Sequence, residues 1–405
     1  MCAAAGSAKL PCMTNSMRRR TFLTATAAAA GVALMRPASA VAAPDRLRFT
    51  LPAPTGRLGV GMRRMHLVQH GRPDPWHPEH DREIMISIWY PAHDDRRFPR
   101  VPYLDPLVAQ HYTTNGALGL SAERIDWAGA RTTARLGAPP RGRGYPVLLY
   151  SPGGGNTRAF GTVLVADLVS RGYVVVTVDH TYETPIEFPD GRLVDADIPR
   201  DPPDLEAAKE LYMATRAADM LHVIERLDEL AHPVMDLSRL GVFGHSAGGL
   251  DAVRVMRAER RVLAGAGFDG FFEFGKNQPE LGVDRPFLLM GAASHPELPP
   301  LFGATRTHLS DPLWGAFWAG STGWKLDLAV PAGRHYTFTD AQWFLPQLAA
   351  LDVDTSGLIG TVLAKRVVRA QRDYVAAVFD LHLKGVAQPL LDGPVPWYPD
   401  VEFVR

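Results

Sequence analysis

Cysteine is almost absent. The chain of 405 residues carries two, Cys2 and Cys12. Both precede an export-type leader, so the region beyond it can hold no disulfide, thiol nucleophile or cysteine-bound metal. An excess of one charge is missing too: Lys+Arg and Asp+Glu number 43 each. That balance gives no electrostatic pull towards nucleic acid or an anionic membrane surface. Long apolar runs are also lacking. The Ala-rich stretch that ends at Met35 is shorter than the ~20 residues a membrane span needs. Internal repeats and long low-complexity linkers are absent.

What is present begins with the leader. Arg18, Arg19 and Arg20 precede Thr21-Phe22-Leu23, then a short apolar stretch, then Ala38-Ser39-Ala40, with Ala40-Val41-Ala42 overlapping. A charged segment, an apolar segment and a small-x-small site make an export signal. Arg-Arg-x-Phe-Leu resembles the twin-arginine type, read by the Tat export machinery. Residues 1–16 stand before this signal, and Met17 is an alternative start. No cysteine follows the apolar stretch, which excludes a lipid anchor at the cleavage site. The competing reading is a first helix of the mature domain. The expectation is a leader over 1–40, one domain over 41–405 and a secreted product.

Beyond the leader, hydrophobic residues at 46% and charged residues at 21% match an ordinary globular chain. Strand-like runs alternate with helical spacing. Ile84–Tyr90, Tyr145–Tyr150, Tyr173–Val178, Leu240–Phe243, Val262–Phe268, Pro286–Met290 and Leu326–Val330 read as strands. Thr157–Ser170, Leu205–Leu230 and a stretch from about Gly357 to Lys384 read as helices. This order predicts an α/β fold, a mostly parallel central sheet with helices on both faces. Its site should lie at the carboxyl ends of the strands. The segment 92–144 has few apolar runs and reads as loop and short helix. An aromatic-rich insertion near 296–325 carries Trp314, Phe317, Trp318 and Trp324, either as core or as the wall of an acyl site.

Gly244-His245-Ser246-Ala247-Gly248 is a G-x-S-x-G pentapeptide between an apolar strand and a helical stretch, the setting of a nucleophile elbow. A serine hydroxyl is a weak nucleophile and needs a neighbouring base later in the chain. His335 follows the last strand candidate, whereas the competitors His295 and His308 are less well placed. The base needs an acid to hold its tautomer. Asp269 closes Val262–Phe268; Glu297, one strand later, is the alternative. Asp251 lies on the helix after Ser246 and reads as a surface charge. An acyl-transfer intermediate needs two oxyanion donors. The Ala247 N–H is one, and the glycine-rich loop Ser151-Pro152-Gly153-Gly154-Gly155-Asn156 should supply the other. A phosphate-binding reading of that loop fails, because no Lys-Ser/Thr follows it.

Together these segments resemble the plasma-type platelet-activating-factor acetylhydrolase family of the α/β-hydrolases, over roughly Ser87 to Asp340. The carrying motifs are IWYP at 88–91, VLLYSPGGG at 147–155, LVSRGYVVVTVDH at 168–180, GVFGHSAGG at 241–249, GFDGFF at 267–272 and GRHYTFTD at 333–340. The resemblance implies Asp269 as the acid, Gly154 as the loop donor beside Gly153, and neither metal nor organic cofactor. It also implies an ester substrate of phospholipid type. Pro152 departs from the histidine often found there and is usual in cutinase-like esterases. The expected activity is ester hydrolysis through an acyl-enzyme on short or oxidised acyl groups. A cutinase-like polyester or triglyceride esterase, a peptidase or haloperoxidase, and a catalytically silent binding protein remain as alternatives.

Overall fold

The structure is a computed structural model that describes residues 46–405, apart from residues 123, 231, 295–300 and 352. The leader, both cysteines, His295 and Glu297 lie outside the described residues. Residues 44–405 belong to one compact unit.

Eleven strands build one sheet. They are β1 (Gly59–Pro73), β2 (Asp81–Ala92), β3 (Arg100–Pro102), β4 (Arg131–Leu136), β5 (Tyr145–Ser151), β6 (Val174–Asp179), β7 (Met235–His245), β8 (Val262–Phe268), β9 (Phe287–Ala292), β10 (Lys325–Val330) and β11 (Glu402–Phe403). Their spatial order is β11-β10-β9-β8-β7-β5-β6-β2-β1-β4-β3. The run from β6 through β10 is parallel. β2 joins β6 and β11 joins β10 in antiparallel fashion. The longer helices are α1 (Pro106–Asn115), α2 (Thr162–Ser170), α3 (Leu205–Leu230), α4 (Ala247–Ala258), α5 (Pro312–Gly320) and α6 (Ala364–Lys384). This is the mostly parallel sheet with helices on both faces that the alternation predicted.

The central strands carry apolar residues on both faces because both faces are covered. Leu148, Val175 and Phe243 enter the layer shared with Leu164, Leu168, Val375 and Phe379 of α2 and α6. Their neighbours Val147, Leu149, Val174, Val176 and Val242 enter the opposite layer, with Met220 and Ile224 of α3, Val253 of α4 and Trp314 of α5. Each large aliphatic side chain so buried contributes about 1.5–3 kcal/mol.

Three expectations need correction. The segment 92–144 is more than loop and helix: it contains β3, α1 and β4. Its isolated aromatics Tyr103, Tyr112 and Trp127 join Phe49, Phe160 and Phe344 in a separate core. Because these residues are spaced singly, no apolar run announces them. The 157–170 stretch opens with a 3-10 turn, Arg158–Gly161, before α2. The last helical stretch breaks after Ser356–Ile359 and resumes as α6. β1 was not anticipated; charged and polar residues such as Arg63, Arg64 and His66 break its pattern, yet it pairs with β2 along most of its length.

The parallel register sets the level of the site. Ser151 faces Gly244, Phe268 faces His245, Phe268 faces Met290, and Ala292 faces Val330. The strands therefore end together, and the residues that follow them emerge at one rim.

Candidate active site

Ser246 stands alone between β7 and α4 with φ 54° and ψ −120°. A residue with a Cβ held in this region costs of order 1–3 kcal/mol and persists only where its surroundings enforce it. Here the Ser246 N–H donates to the Phe268 carbonyl at 2.7 Å, and its carbonyl accepts from Gly249 N–H at 2.9 Å. The pentapeptide glycines have a steric reason. A Cβ on Gly248 would strike the Ser151 carbonyl, and one on Gly244 would strike the Gly248 backbone. Ser246 is half-buried.

Asp269, the first residue after β8, also has positive φ, 49°. Its N–H donates to the Met290 carbonyl at 2.8 Å. One carboxylate oxygen lies 2.6 Å from His335 Nδ1. The other accepts from the Ala292 N–H at 3.2 Å and faces Arg306 Nε at 3.8 Å. Burial pushes the Asp269 carboxyl up, but the His335 hydrogen bond and charge, with Arg306, outweigh it and hold it below the usual range. A carboxylate there can only accept, so Nδ1 of His335 carries the proton and Nε2 is left free as a base. The His335 ring lies 4.5 Å from that of His245, the residue before Ser246. His245 Nε2 donates to the His335 carbonyl at 2.7 Å. Burial and the nearby His335 lower its pKa to about 3, so His245 is neutral.

The glycine loop sits across from this pair. A Cβ on Gly153 would come within 3.3 Å of Ser246 Cβ, and one on Gly154 would lie 2.6 Å from the Tyr212 hydroxyl and 3.9 Å from Ala247 Cβ. The loop backbone thus approaches the elbow closely, as its glycines allow. Charges hold it from beneath. Arg216 is wholly buried and donates to the Pro152 carbonyl at 2.5 Å, to Ser151 Oγ at 2.9 Å and to Asp251 at 2.8 Å. It also pairs with Glu183, which accepts from the Tyr212 hydroxyl at 2.5 Å. Ser151 Oγ donates to Asp251 at 2.7 Å and lies 3.0 Å from His180 Nε2. His180 Nδ1 meets Asp219 at 2.9 Å, and Asp219 pairs with Arg82.

Asp251 is accordingly no surface charge. It is fully buried and part of this network. Arg216, Glu183 and His180 were not singled out from the sequence. One signal was available: on α3, Arg216 interrupts the apolar stripe of Met213, Met220, Val223 and Leu227, all buried. A charge in an apolar stripe must have a partner inside.

His308 is engaged elsewhere. Its Nδ1 lies 2.7 Å from Asp327, and its ring stacks on Trp318. The aromatic segment is largely core: Trp314 and Phe317 are buried. The Trp314 indole donates to the Gly270 carbonyl at 2.9 Å, beside Asp269. Arg306 lies over the Phe271 ring at 4.1 Å. Among the described residues no cluster of three or more His, Cys, Asp and Glu is arranged to hold a metal ion, and no helix is long and apolar enough to cross a membrane.

Known proteins extend this picture. No family model matches the chain. A probable 1-alkyl-2-acetylglycerophosphocholine esterase of Arthroderma benhamiae is 27% identical over 398 residues, covering 91% of this chain and 97% of that protein. A cutinase of Thermobifida fusca is 27% identical over 209 residues, 51% of this chain and 60% of the cutinase. Among solved structures, the ferulic acid esterase from Streptomyces cinnamoneus superposes with a TM-score of 0.74 at 38% identity, covering 89% of this chain and 100% of that one. At 38% identity over the whole of a solved esterase, and with a fold of this type, the chain belongs to the carboxylic-ester hydrolases of the α/β-hydrolase fold, and it is similar along most of its length to a glycerophosphocholine esterase.

Proposed function

We propose that the protein is a secreted serine esterase that removes short or oxidised acyl groups from phospholipid-type esters, with Ser246 as nucleophile, His335 as base and Asp269 as the supporting acid. The observation that carries this reading is the 2.6 Å bond between His335 Nδ1 and Asp269, on loops that end β10 and β8, the third and first strands on one side of the strand that carries the Ser246 elbow. In the first step Ser246 Oγ bonds to the ester carbonyl carbon and its proton passes to His335 Nε2. The oxyanion accepts from the N–H groups of Ala247 and Gly154. The Ala247 N–H also opens α4, where the helix end favours negative charge. His335 then protonates the alcohol as its C–O bond breaks. Water repeats the sequence on the acyl-enzyme and releases the acid. Asp269 holds the imidazole and stabilises its cation.

Two comparisons favour a phospholipid-type ester over a polyester. The glycerophosphocholine esterase aligns along 91% of the chain, the cutinase along 51%. Hydrolysis of a 2-acetyl glycerophosphocholine by the wild type and by Ser246→Ala tests the chemistry. An inactive wild type, or an unaffected variant, would sink it. Export rests on the Arg18–Leu23 and Ala38–Ala40 pattern. Replacing Arg18, Arg19 and Arg20 by lysine should leave the uncleaved protein inside the cell; secretion at the wild-type level would refute the twin-arginine route.

A further inference from the structure

Two cavities open beside the glycine loop, of about 510 and 520 Å³. They meet along a seam formed by Gly154, Gly155, Glu183, Ala196 and Arg200, residues that line both. One chamber is walled by Ile198, Leu205, Ala208, Tyr212 and Phe274. The other presents His111, Asn115, Asn156, Thr184, Asp195 and Tyr336. Both adjoin Gly154, the position of the loop donor.

A strap over 195–204 crosses the seam. The Asp197 N–H donates to the Tyr182 carbonyl at 2.9 Å, and its carboxylate lies 3.0 Å from His77 Nε2. Asp195 lies 3.6 Å from His111. At the far end Asp204 accepts from the Ala207 N–H at 2.9 Å, at the start of α3. Between these tethers Pro199, Pro202 and Pro203 fix three backbone φ angles. Arg200 is therefore presented over the seam by a stiff, anchored segment.

The other charged residues that line the chambers have partners of their own. Glu183 pairs with Arg216 and accepts from Tyr212 through Oε2, while its buried Oε1 has no hydrogen-bond partner. Lys209 pairs with Glu206 at 2.7 Å. Asp195 has His111. Among the described residues Arg200 has neither an ion pair nor a hydrogen bond, although it lines both chambers. A guanidinium is a planar fork that matches a phosphate or a carboxylate by paired hydrogen bonds.

We propose that Arg200 is the specificity residue for an anionic group, phosphate or carboxylate, carried by the ester, with the apolar chamber taking the acyl chain and the polar one the alcohol. This rests on the Ser246 esterase reading and deepens it. The test compares wild type, Arg200→Gln and Arg200→Lys on three esters: neutral p-nitrophenyl acetate, a 2-acetyl glycerophosphocholine, and the monosuccinate of p-nitrophenol. Arg200→Gln should lower kcat/KM by ~10-fold on an anionic ester, mainly through KM, and by less than ~2-fold on the neutral one. Arg200→Lys should recover part of the loss. Added salt should raise KM for the anionic ester in the wild type and much less in Arg200→Gln, because the contact is exposed and screened. Loss confined to the phosphodiester identifies phosphate, and loss confined to the succinate identifies carboxylate. Equal effects on neutral and anionic esters, or none on either, would overturn the proposal. Binding of an unhydrolysable diether glycerophosphocholine and of free succinate to Ser246→Ala, with and without Arg200→Gln, reads recognition without turnover. It therefore separates failure of Arg200 from failure of the esterase reading.

Discussion

The two flanks of the Ser246 elbow are held by different means. On the glycine-loop side the supports are buried charges: Arg216 with Asp251 and Glu183, then His180 and Asp219 behind them. On the Asp269–His335 side they are mainly backbone hydrogen bonds and rings, with Arg306 as the one cation at 3.8 Å: the Trp314 indole on Gly270, the Ala292 N–H on Asp269, and Phe271 and His245 against His335. The difference follows from what each flank must fix. A glycine loop has no side chains to pack, so its carbonyls must be gripped by strong donors. A ring has faces that can be packed, and needs one directional bond to set its tautomer.

Breaking the ring flank should produce the largest change. Asp269→Asn keeps the shape but offers His335 a donor, favouring the wrong tautomer. We expect a fall in kcat on the order of 10⁴-fold, with an urea midpoint close to wild type. A near-normal kcat would mean that His335 is oriented without Asp269. Breaking the charged flank should act first on folding. Arg216→Met strands Asp251 and Glu183 without their partner, and urea unfolding should register a loss of about 3–5 kcal/mol. Arg216→Lys should fall between, since an ammonium cannot grip Pro152, Asp251 and Glu183 together. A loss below ~1 kcal/mol for Arg216→Met would show that the loop does not depend on this grip.

A third variant probes the stitch between the flanks. Asp340, five residues after His335, accepts from the Val163 N–H at 2.8 Å, and its N–H donates to the Phe160 carbonyl at 2.7 Å. It thereby ties the histidine segment to α2, the helix that follows the glycine loop. Burial raises its pKa from 3.8 to about 7. The folded protein thus binds a proton that the unfolded chain has lost between these values. Its contribution to stability is full below pH ~4 and falls as pH rises to 7, by at most about 1.4 kcal/mol per pH unit. Asp340→Asn should remove that slope from a stability–pH profile. An unchanged slope would show that Asp340 is ionised throughout.

Sequence patterning reached the regular parts because both sheet faces are covered. Val262–Phe268 and Leu205–Leu230 were bounded as the structure has them. The elbow was legible for a local reason, since its glycines answer contacts within a few residues and the adjoining loop. Choosing Asp269 over Glu297 was not a local matter. Spacing allowed both, and only the resemblance separated them; the structure sets Asp269 against His335. The charged support of the loop was hidden because its members come from β2, the loop after β6, α3 and α4 and meet only in space. Asp251 shows the cost of reading a helix charge by default, as α4 is buried on the side that carries it. The separate aromatic core around Trp127 was hidden by the opposite cause, single residues with no shared period.

One small element carries a further consequence. Glu402 and Phe403 pair with Ala329 and Leu328, and the Val404 N–H reaches the Asp327 carbonyl at 3.0 Å. Those three residues cover the open side of β10, the strand that leads to His335. A bare strand there would present a row of free amides and carbonyls, on which another molecule could add itself in place of the missing strand. Trimming this short cap would therefore turn a closed border into a template for self-association, on the strand that leads to the histidine.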